Sequence, residues 1–343
     1  MEEMNDDVPL PPRRKVVGII YNLKKGAKVG APDAEAELDS IDTVRAIQKA
    51  LKKTGVEVEL FEADETLPAK LASAHIDIAF NIAEGLRGRG REAQIPALLN
   101  MMGIPFTGSD ETTLCLALDK SLTKRLLSTY HIRTPRYALL SGDCEKIASK
   151  LSYPVIVKPN AEGSSKGISD VSIVGSAQEL KDLAKRNLSV YGGSMLAEEY
   201  ISGREFTVGV LGNGKNTRVF SPMEIVFRKN TQGDYRVYSY GVKQDYQNYV
   251  TYSCPADIPA GVEEELTRTA RKVYDILGCR DFARADFRLG EDGKLYFIEI
   301  NPLPGLAPGY SDYPMLAAFC GVPYDDLVLG VLSAGAERCG VAL

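Results

Sequence analysis

The chain has 343 residues, of which 44% are hydrophobic and 25% charged, with a formal net charge of −5 at pH 7. This is the balance of a globular enzyme of two or three domains, and its acidity argues against a nucleic-acid partner, which needs a basic surface. No apolar run reaches the roughly 18 residues that cross a bilayer, so no membrane partner is expected.

Residues 1–14 are acidic and proline-bearing and lack a hydrophobic signal core, which predicts a disordered leader on a cytoplasmic protein. A strand over 16–21 is followed by a Gly/Lys-rich loop over 22–36. Ser40 then caps a helix whose Ile41, Val44, Ile47 and Leu51 share one face. A strand over 56–62, a helix over 67–74, a strand over 76–82, a helix over 92–102 and a strand over 104–107 follow. Such alternation predicts a parallel sheet covered on both faces, an N-terminal α/β substrate domain spanning 15–110.

The central unit, 111–197, reads as a helix over 118–130, strands over 154–157, 171–174 and 195–199, a Gly/Ser loop over 160–168 and a helix over 177–186. In the last unit, 198–343, strands over 205–211 and 218–226 precede a long polar loop over 228–252. A helix over 262–277, paired strands over 281–289 and 294–299 about the turn 290–293, and two closing helices complete it. Strands and helices segregate in these two units, which predicts α+β architecture. No internal repeat is present.

Chemistry has few residue types to draw on. The only histidines are His75 and His131, and the six cysteines form no Cys-x-x-Cys motif. Histidine-based metal sites and Ser-His or Cys-His triads are therefore excluded, and the cysteines read as buried free thiols. The most specific pattern is Arg284-Ala285-Asp286 followed by Glu299-Ile300-Asn301 on adjacent strands. Residues i and i+2 of a strand share a face, so Asp286, Glu299 and Asn301 can present three oxygen ligands beside a cation, as Mg²⁺ prefers. A solvent-facing polar hairpin would carry the same letters.

Lys158 ends a strand and is followed by the Gly/Ser loop with Ser164 and Ser165, a pattern suited to phosphate contacts although no Walker loop is present. A plain surface loop is the alternative. Glu198-Glu199-Tyr200-Ile201 with Glu205 can offer acceptors to an adenine amine and ribose hydroxyls, or can simply be a charged strand end. Asp119-Lys120 opens a helix and can add a phosphate cation.

Taken together and in this order, these features resemble the ATP-grasp superfamily and, within it, the D-alanine–D-alanine ligases. The resemblance runs from about residue 16 to 328. It is most specific at Gly103–Ser109, Leu118–Lys124, Glu162–Ser165, Cys254–Ala256 and Asn301–Gly305. It implies an ATP-grasp fold preceded by a Rossmann-like domain, and an ATP-dependent carboxylate–amine ligase that forms a peptide bond through an acyl phosphate in cell-wall synthesis. By the same resemblance Lys120, Lys158 and Ser165 hold ATP phosphates, and Glu198, Glu199, Ile201 and Glu205 hold adenosine. Asp286, Glu299 and Asn301 bind two Mg²⁺ ions, with Mn²⁺ as an alternative. Lys243 closes over the γ-phosphate, Arg284 and the Gly305 amide stabilise the oxyanion, and Ser164 orders substrate and loop. The substrates are amino acids, and a homodimer is expected because family members commonly form one.

The sequence departs from the family pattern around the amino-acid pockets. Ala36, between Glu35 and Glu37, stands near the family's ammonium-binding glutamate. The family's His-Gly-x-x-Gly-Glu-Asp-Gly becomes Glu84-Gly85-Leu86-Arg87-Gly88-Arg89-Gly90-Arg91. Here Glu84 is expected to take the ammonium while an arginine contacts an additional anion. Gln244 replaces a tyrosine, and Tyr310-Ser311 replaces Ser-Leu at the second substrate's carboxylate. Besides the D-alanine reading, the sequence admits a dipeptide ligase with another substrate pair and a nucleotide-binding regulatory protein without turnover.

Overall fold

Strand periodicity organises the first unit. In the computed structural model, which describes residues 13–26, 35, 37–140, 150–162, 172–191, 194–229 and 235–343, β1 (Val16–Tyr21) is buried along its whole length. It lies between β2 (Glu57–Glu62) and β3 (Ile78–Asn81) in a parallel sheet of order β2-β1-β3. Val17 and Ile19 face Val44, Ile47 and Leu51 of α1 (Ile41–Lys52), and Ile20 turns the opposite way. There it meets Leu67 and Leu71 of α2 (Leu67–Ser73) and Leu99 of α3 (Gln94–Met102). Each such side chain, fully buried, contributes about 1.5–3 kcal/mol. Ser40 caps α1 as expected, its Oγ accepting from Thr43 N at 3.2 Å. The strand expected over 104–107 is only a bridge between Ala79 and Phe106. Pro105 has no N–H to extend the ladder.

The helix expected over 118–130 forms as α5 (Lys120–Thr129), and a further helix, α4 (Glu111–Leu118), precedes it. Asp119 separates them, because its carboxylate accepts from Leu122 N at 3.0 Å and so starts a new helix. Lys120 is thereby placed at a helix start. A four-stranded antiparallel sheet follows, of order β4-β7-β5-β6, from β4 (Tyr137–Leu140), β5 (Val155–Pro159), β6 (Ile173–Val174) and β7 (Met195–Glu199). Leu180, Leu183 and Ala184 of α6 (Ala177–Tyr191) cover it.

The last sheet runs β11-β10-β8-β12-β13, with β9 (Arg218–Val219) paired to β8. Its strands are β8 (Gly203–Leu211), β10 (Met223–Phe227), β11 (Val250–Ser253), β12 (Phe282–Gly290) and β13 (Leu295–Asn301). The region expected to be a long polar loop over 228–252 holds β11 and two short helices, α7 (Tyr240–Gln244) and α8 (Tyr246–Tyr249). Ser239 caps α7 by accepting from Val242 N at 3.3 Å, over a stretch too short to show helical periodicity.

Helix α9 (Ala260–Ile276) packs Leu266, Ala270 and Val273 beneath Phe206, Phe287 and Phe297. The two closing helices, α10 (Asp312–Phe319) and α11 (Tyr324–Cys339), join the core that contains β1 and α1. First and last units therefore share one hydrophobic interior. No single helix among the described residues is long and apolar enough to cross a membrane. Of the cysteines, Cys279 is buried as expected, but Cys115 is exposed and Cys254, Cys320 and Cys339 are half-buried.

Gly209 on β8 lies against α10. A Cβ there would come within 2.6 Å of Leu316 Cδ2 and 2.7 Å of Phe220 Cδ2. Gly209→Ala is therefore expected to cost about 1–3 kcal/mol through overpacking, measured as a lower urea midpoint at unchanged m-value.

Candidate active site

Strand pairing assembles the centre of the site. Antiparallel register sets Asp286 opposite Glu299 and Arg284 opposite Asn301, so all four side chains stand on one face of the β12–β13 pair. Arg284 donates a fork to Asp286, Nε to Oδ1 at 3.0 Å and Nη2 to Oδ2 at 2.8 Å, and its Nη1 lies 3.6 Å from Asp312. Thr207 donates to Asp286 at 2.7 Å, and Asn301 Nδ2 to the same carboxylate at 3.3 Å. Burial raises the Glu299 carboxyl, but Lys120, Lys158, Lys243 and Arg284 outweigh it and pull it down to about 2. Glu299 is therefore an anion at any working pH. The oxygens of Asp286, Glu299 and Asn301 are the hard donors that fit Mg²⁺, and the surrounding cations suit its phosphate ligands.

A lysine pair flanks this platform. Lys158 Nζ sits 2.6 Å from Glu198 Oε2, and Lys124 Nζ 2.7 Å from Oε1 without hydrogen-bond geometry. All three are buried. Burial disfavours the Glu198 anion, yet the two lysines prevail and hold its carboxyl below the usual range. Lys120 Nζ donates to the Glu162 carbonyl at 2.5 Å and lies 3.4 Å from Glu299.

Two clefts meet here. The smaller, about 110 Å³, is lined by Lys158, Glu198, Glu199, Ile201 and Glu205. Glu205 is ion-paired to Arg288 at 2.8 Å, and Arg288 also donates to the carbonyls of Ile201 at 2.7 Å and Arg236 at 2.8 Å. Glu199 accepts from Ser152 N at 2.8 Å at the strand end. The larger cleft, about 440 Å³, is lined by Lys120, Glu84, Asn301, Gly305, Tyr310 and Ser311 among others. Lys243, Arg284 and Glu299 line both. Ser311 Oγ accepts from Ala307 N at 3.2 Å and lies 2.8 Å from where a Cβ on Gly305 would stand, so a side chain there would displace that hydroxyl.

The structure thus brings together Lys120, Lys158, Glu198, Lys243, Arg284, Asp286, Glu299 and Asn301, with Glu84, Gly305, Tyr310 and Ser311 along the larger cleft and Glu199, Ile201 and Glu205 along the smaller. Ser164, Ser165 and Ala36 lie outside the described residues, as does the side chain of Gln244. One expectation is corrected. Arg91 and Arg89 of the 84–91 run are engaged by carboxylates of the chain itself rather than left to an extra anion. Arg91 is buried and chelates Glu37 at 2.6 and 2.7 Å while donating to Ala161 O at 2.9 Å, and Arg89 pairs with Asp119 at 2.6 Å. The wall they leave facing the cleft is acidic, with Glu37, Glu84 and Glu92.

Sequence reasoning passed over Lys124, Arg288, Asp312, Tyr238 and Glu92. Lys124 was findable, since i and i+4 on α5 put it beside Lys120. Tyr238 donates to Asp312 at 3.0 Å and thereby steadies a carboxylate beside Arg284, and Lys243 Nζ lies 5.0 Å from the Tyr238 ring centre. Nothing local signals those contacts.

Burial and the charges of Glu37 and Glu162 raise the Glu92 carboxyl to about 8 against the opposing pull of Arg91 and Lys120. The folded protein then binds a proton there more tightly than the unfolded chain does. Stability is expected to fall as pH climbs from the ordinary glutamate range to about 8. Glu92→Gln should flatten that slope in urea titrations of the ligand-free protein, and an unchanged slope would refute the assignment.

A family model described as "D-ala D-ala ligase C-terminus" matches residues 131–333. A D-alanine–D-alanine ligase of Cupriavidus necator is 36% identical over 319 residues, covering 91% of each chain. One from Bordetella pertussis is 34% identical over 316 residues, covering 91% of this chain and 95% of its own. Among solved structures, the D-alanine–D-alanine ligase of Bacillus anthracis complexed with ATP superposes with a TM-score of 0.74 at 21% identity, covering 95% of this chain and 99% of its own. The VanG D-Ala:D-Ser ligase of Enterococcus faecalis gives 0.73 at 20% identity, covering 94% and 100%.

Proposed function

The chain belongs to the D-alanine–D-alanine ligase family, and from that premise we propose that it joins two amino acids, D-alanine or a close relative among them, at the expense of ATP. The observation that carries this reading is the junction of the two clefts at Lys243, Arg284 and Glu299, where cations and oxygen donors converge.

In this reading adenosine occupies the smaller cleft. Glu198, held by two lysines, and the edge at Glu199 and Ile201 receive the base, and Glu205, fixed by Arg288, receives the ribose. Lys120 and Lys158 neutralise phosphate oxygens, with Ser165 from the adjoining loop. Asp286, Glu299 and Asn301 would hold Mg²⁺, which when bound draws charge from the β- and γ-phosphates. The first substrate's carboxylate attacks the γ-phosphorus, giving an acyl phosphate and ADP. The second substrate's amine then attacks that carbonyl, and phosphate leaves. Arg284 and the Gly305 amide face the oxyanion that forms in this step. Lys243 closes the cleft mouth and keeps water from the acyl phosphate, and Ser164 orders the substrate. The setting is the cytoplasm, where ATP is supplied.

The test is phosphate release on mixing enzyme, ATP and Mg²⁺ with D-alanine, together with mass detection of the dipeptide. Amino-acid-dependent release with one dipeptide per phosphate is expected. ATP binding without amino-acid-dependent release from any amino acid would overturn the reading in favour of a regulatory protein.

A further inference from the structure

Across the larger cleft from Arg284, oxygens of Glu37, Glu84 and Glu92 lie within 4.8 Å of one another. Among the described residues, no cation other than Arg91 comes within ion-pair distance of Glu84 or Glu92. Arg91 is chelated by Glu37, and its distance to Glu92 is 3.9 Å. Glu92 is only 7% exposed, lines the cleft, and accepts no hydrogen bond from the described residues. No described residue reaches Glu84 with a hydrogen bond or ion pair either. A buried carboxylate in this condition is costly unless a proton or a ligand cation compensates it.

The charge count decides what that ligand is. With Arg91 chelated by Glu37, two carboxylates of the trio remain, and Lys120, the nearest further cation on this cleft, already lies 3.4 Å from Glu299. A monoamino acid such as alanine brings one ammonium and leaves the second carboxylate uncompensated. Resting on the ligase reading, we propose that the substrate lodged against this wall carries a second cationic group, a diamino or guanidino acid, with one cation on Glu84 and the other on Glu92. The raised carboxyls of Glu84 and Glu92 agree with a wall left short of positive charge. A planar guanidinium or a second ammonium would supply the missing donors.

The experiment compares kcat/KM for amino-acid-dependent phosphate release with alanine, 2,3-diaminopropionate, ornithine and arginine, each in D and L form, using the full chain with ATP and Mg²⁺. At least one diamino or guanidino acid should exceed alanine of the same configuration by about tenfold or more, and Glu92→Gln should lower that ratio about tenfold. The wild-type comparison stands even where a variant fails to fold. Turnover of alanine with no preference for any dibasic acid would overturn this inference and leave the ligase reading intact. No release with any amino acid would instead overturn the ligase reading. Binding of Mn²⁺ without nucleotide, lost in Glu92→Gln and accompanied by no dibasic preference, would reassign the trio as a metal site and also overturn the inference.

Discussion

Arg284→Ala is expected to lower kcat by about 10²–10³-fold, the usual cost of removing one donor to a developing oxyanion. The KM for ATP should move far less. Arg284 is buried, forked onto Asp286 and close to Asp312. Two effects are therefore mixed in the alanine variant, lost stabilisation and two carboxylates left without their cation. Arg284→Lys separates them. It keeps the charge that Asp286 and Asp312 require but has no planar fork, so it should restore thermal stability while remaining strongly impaired in turnover. Full recovery of kcat by lysine would mean that Arg284 acts only as a charge, and an unimpaired alanine variant would remove it from the chemistry.

Lys124→Met is expected to destabilise the folded protein by about 3–5 kcal/mol, the range seen when one partner of a buried ion pair is removed. The reason is geometric. Glu198 is buried at the wall of the smaller cleft, and its two oxygens are divided between Lys124 and Lys158. Losing Lys124 leaves Oε1 without a cation and makes Lys158 the sole counter-ion of Glu198, which holds it more tightly there. If Lys158 serves phosphate, the KM for ATP should rise as well. Adding Glu198→Gln to Lys124→Met should regain part of the stability, since the buried charge is then gone, and a double-mutant cycle reads the coupling directly. Additive losses would show that Lys124 and Glu198 do not act as a pair.

The two variants probe opposite sides of one charge arrangement. Around Glu299 and Glu198 lysines outnumber carboxylates, and both acids are held ionised. Around Glu84 and Glu92 carboxylates outnumber cations, and both acids are pushed up. The joined clefts therefore run from a cation-rich wall to a carboxylate-rich one. That gradient suits the proposed reaction, in which a carboxylate must approach ATP while its amine stays away from the lysines.

Much of this was legible in the chain itself, for reasons of short range. Period-two alternation in β12 and β13 is enough to put Arg284 and Asp286 on one face, and Glu299 and Asn301 on another that a hairpin brings alongside. Lys158 at a strand end, Asp119 as a helix cap and the β/α alternation of the first hundred residues are equally local. What the sequence by itself determined is the reaction type. Tertiary structure alone decided the partners: Arg288 meets Glu205 across β12 and β8, and Asp312 comes to Arg284 from a helix beyond the strand pair. It also reversed the meaning of the arginine-rich run after Glu84. By composition that run is basic, but folding turns Arg89 and Arg91 onto Asp119 and Glu37 and leaves the acids facing the cleft. Pairing between charges depends on distances that residue order does not encode, so the acidic wall became visible only once the chain was folded.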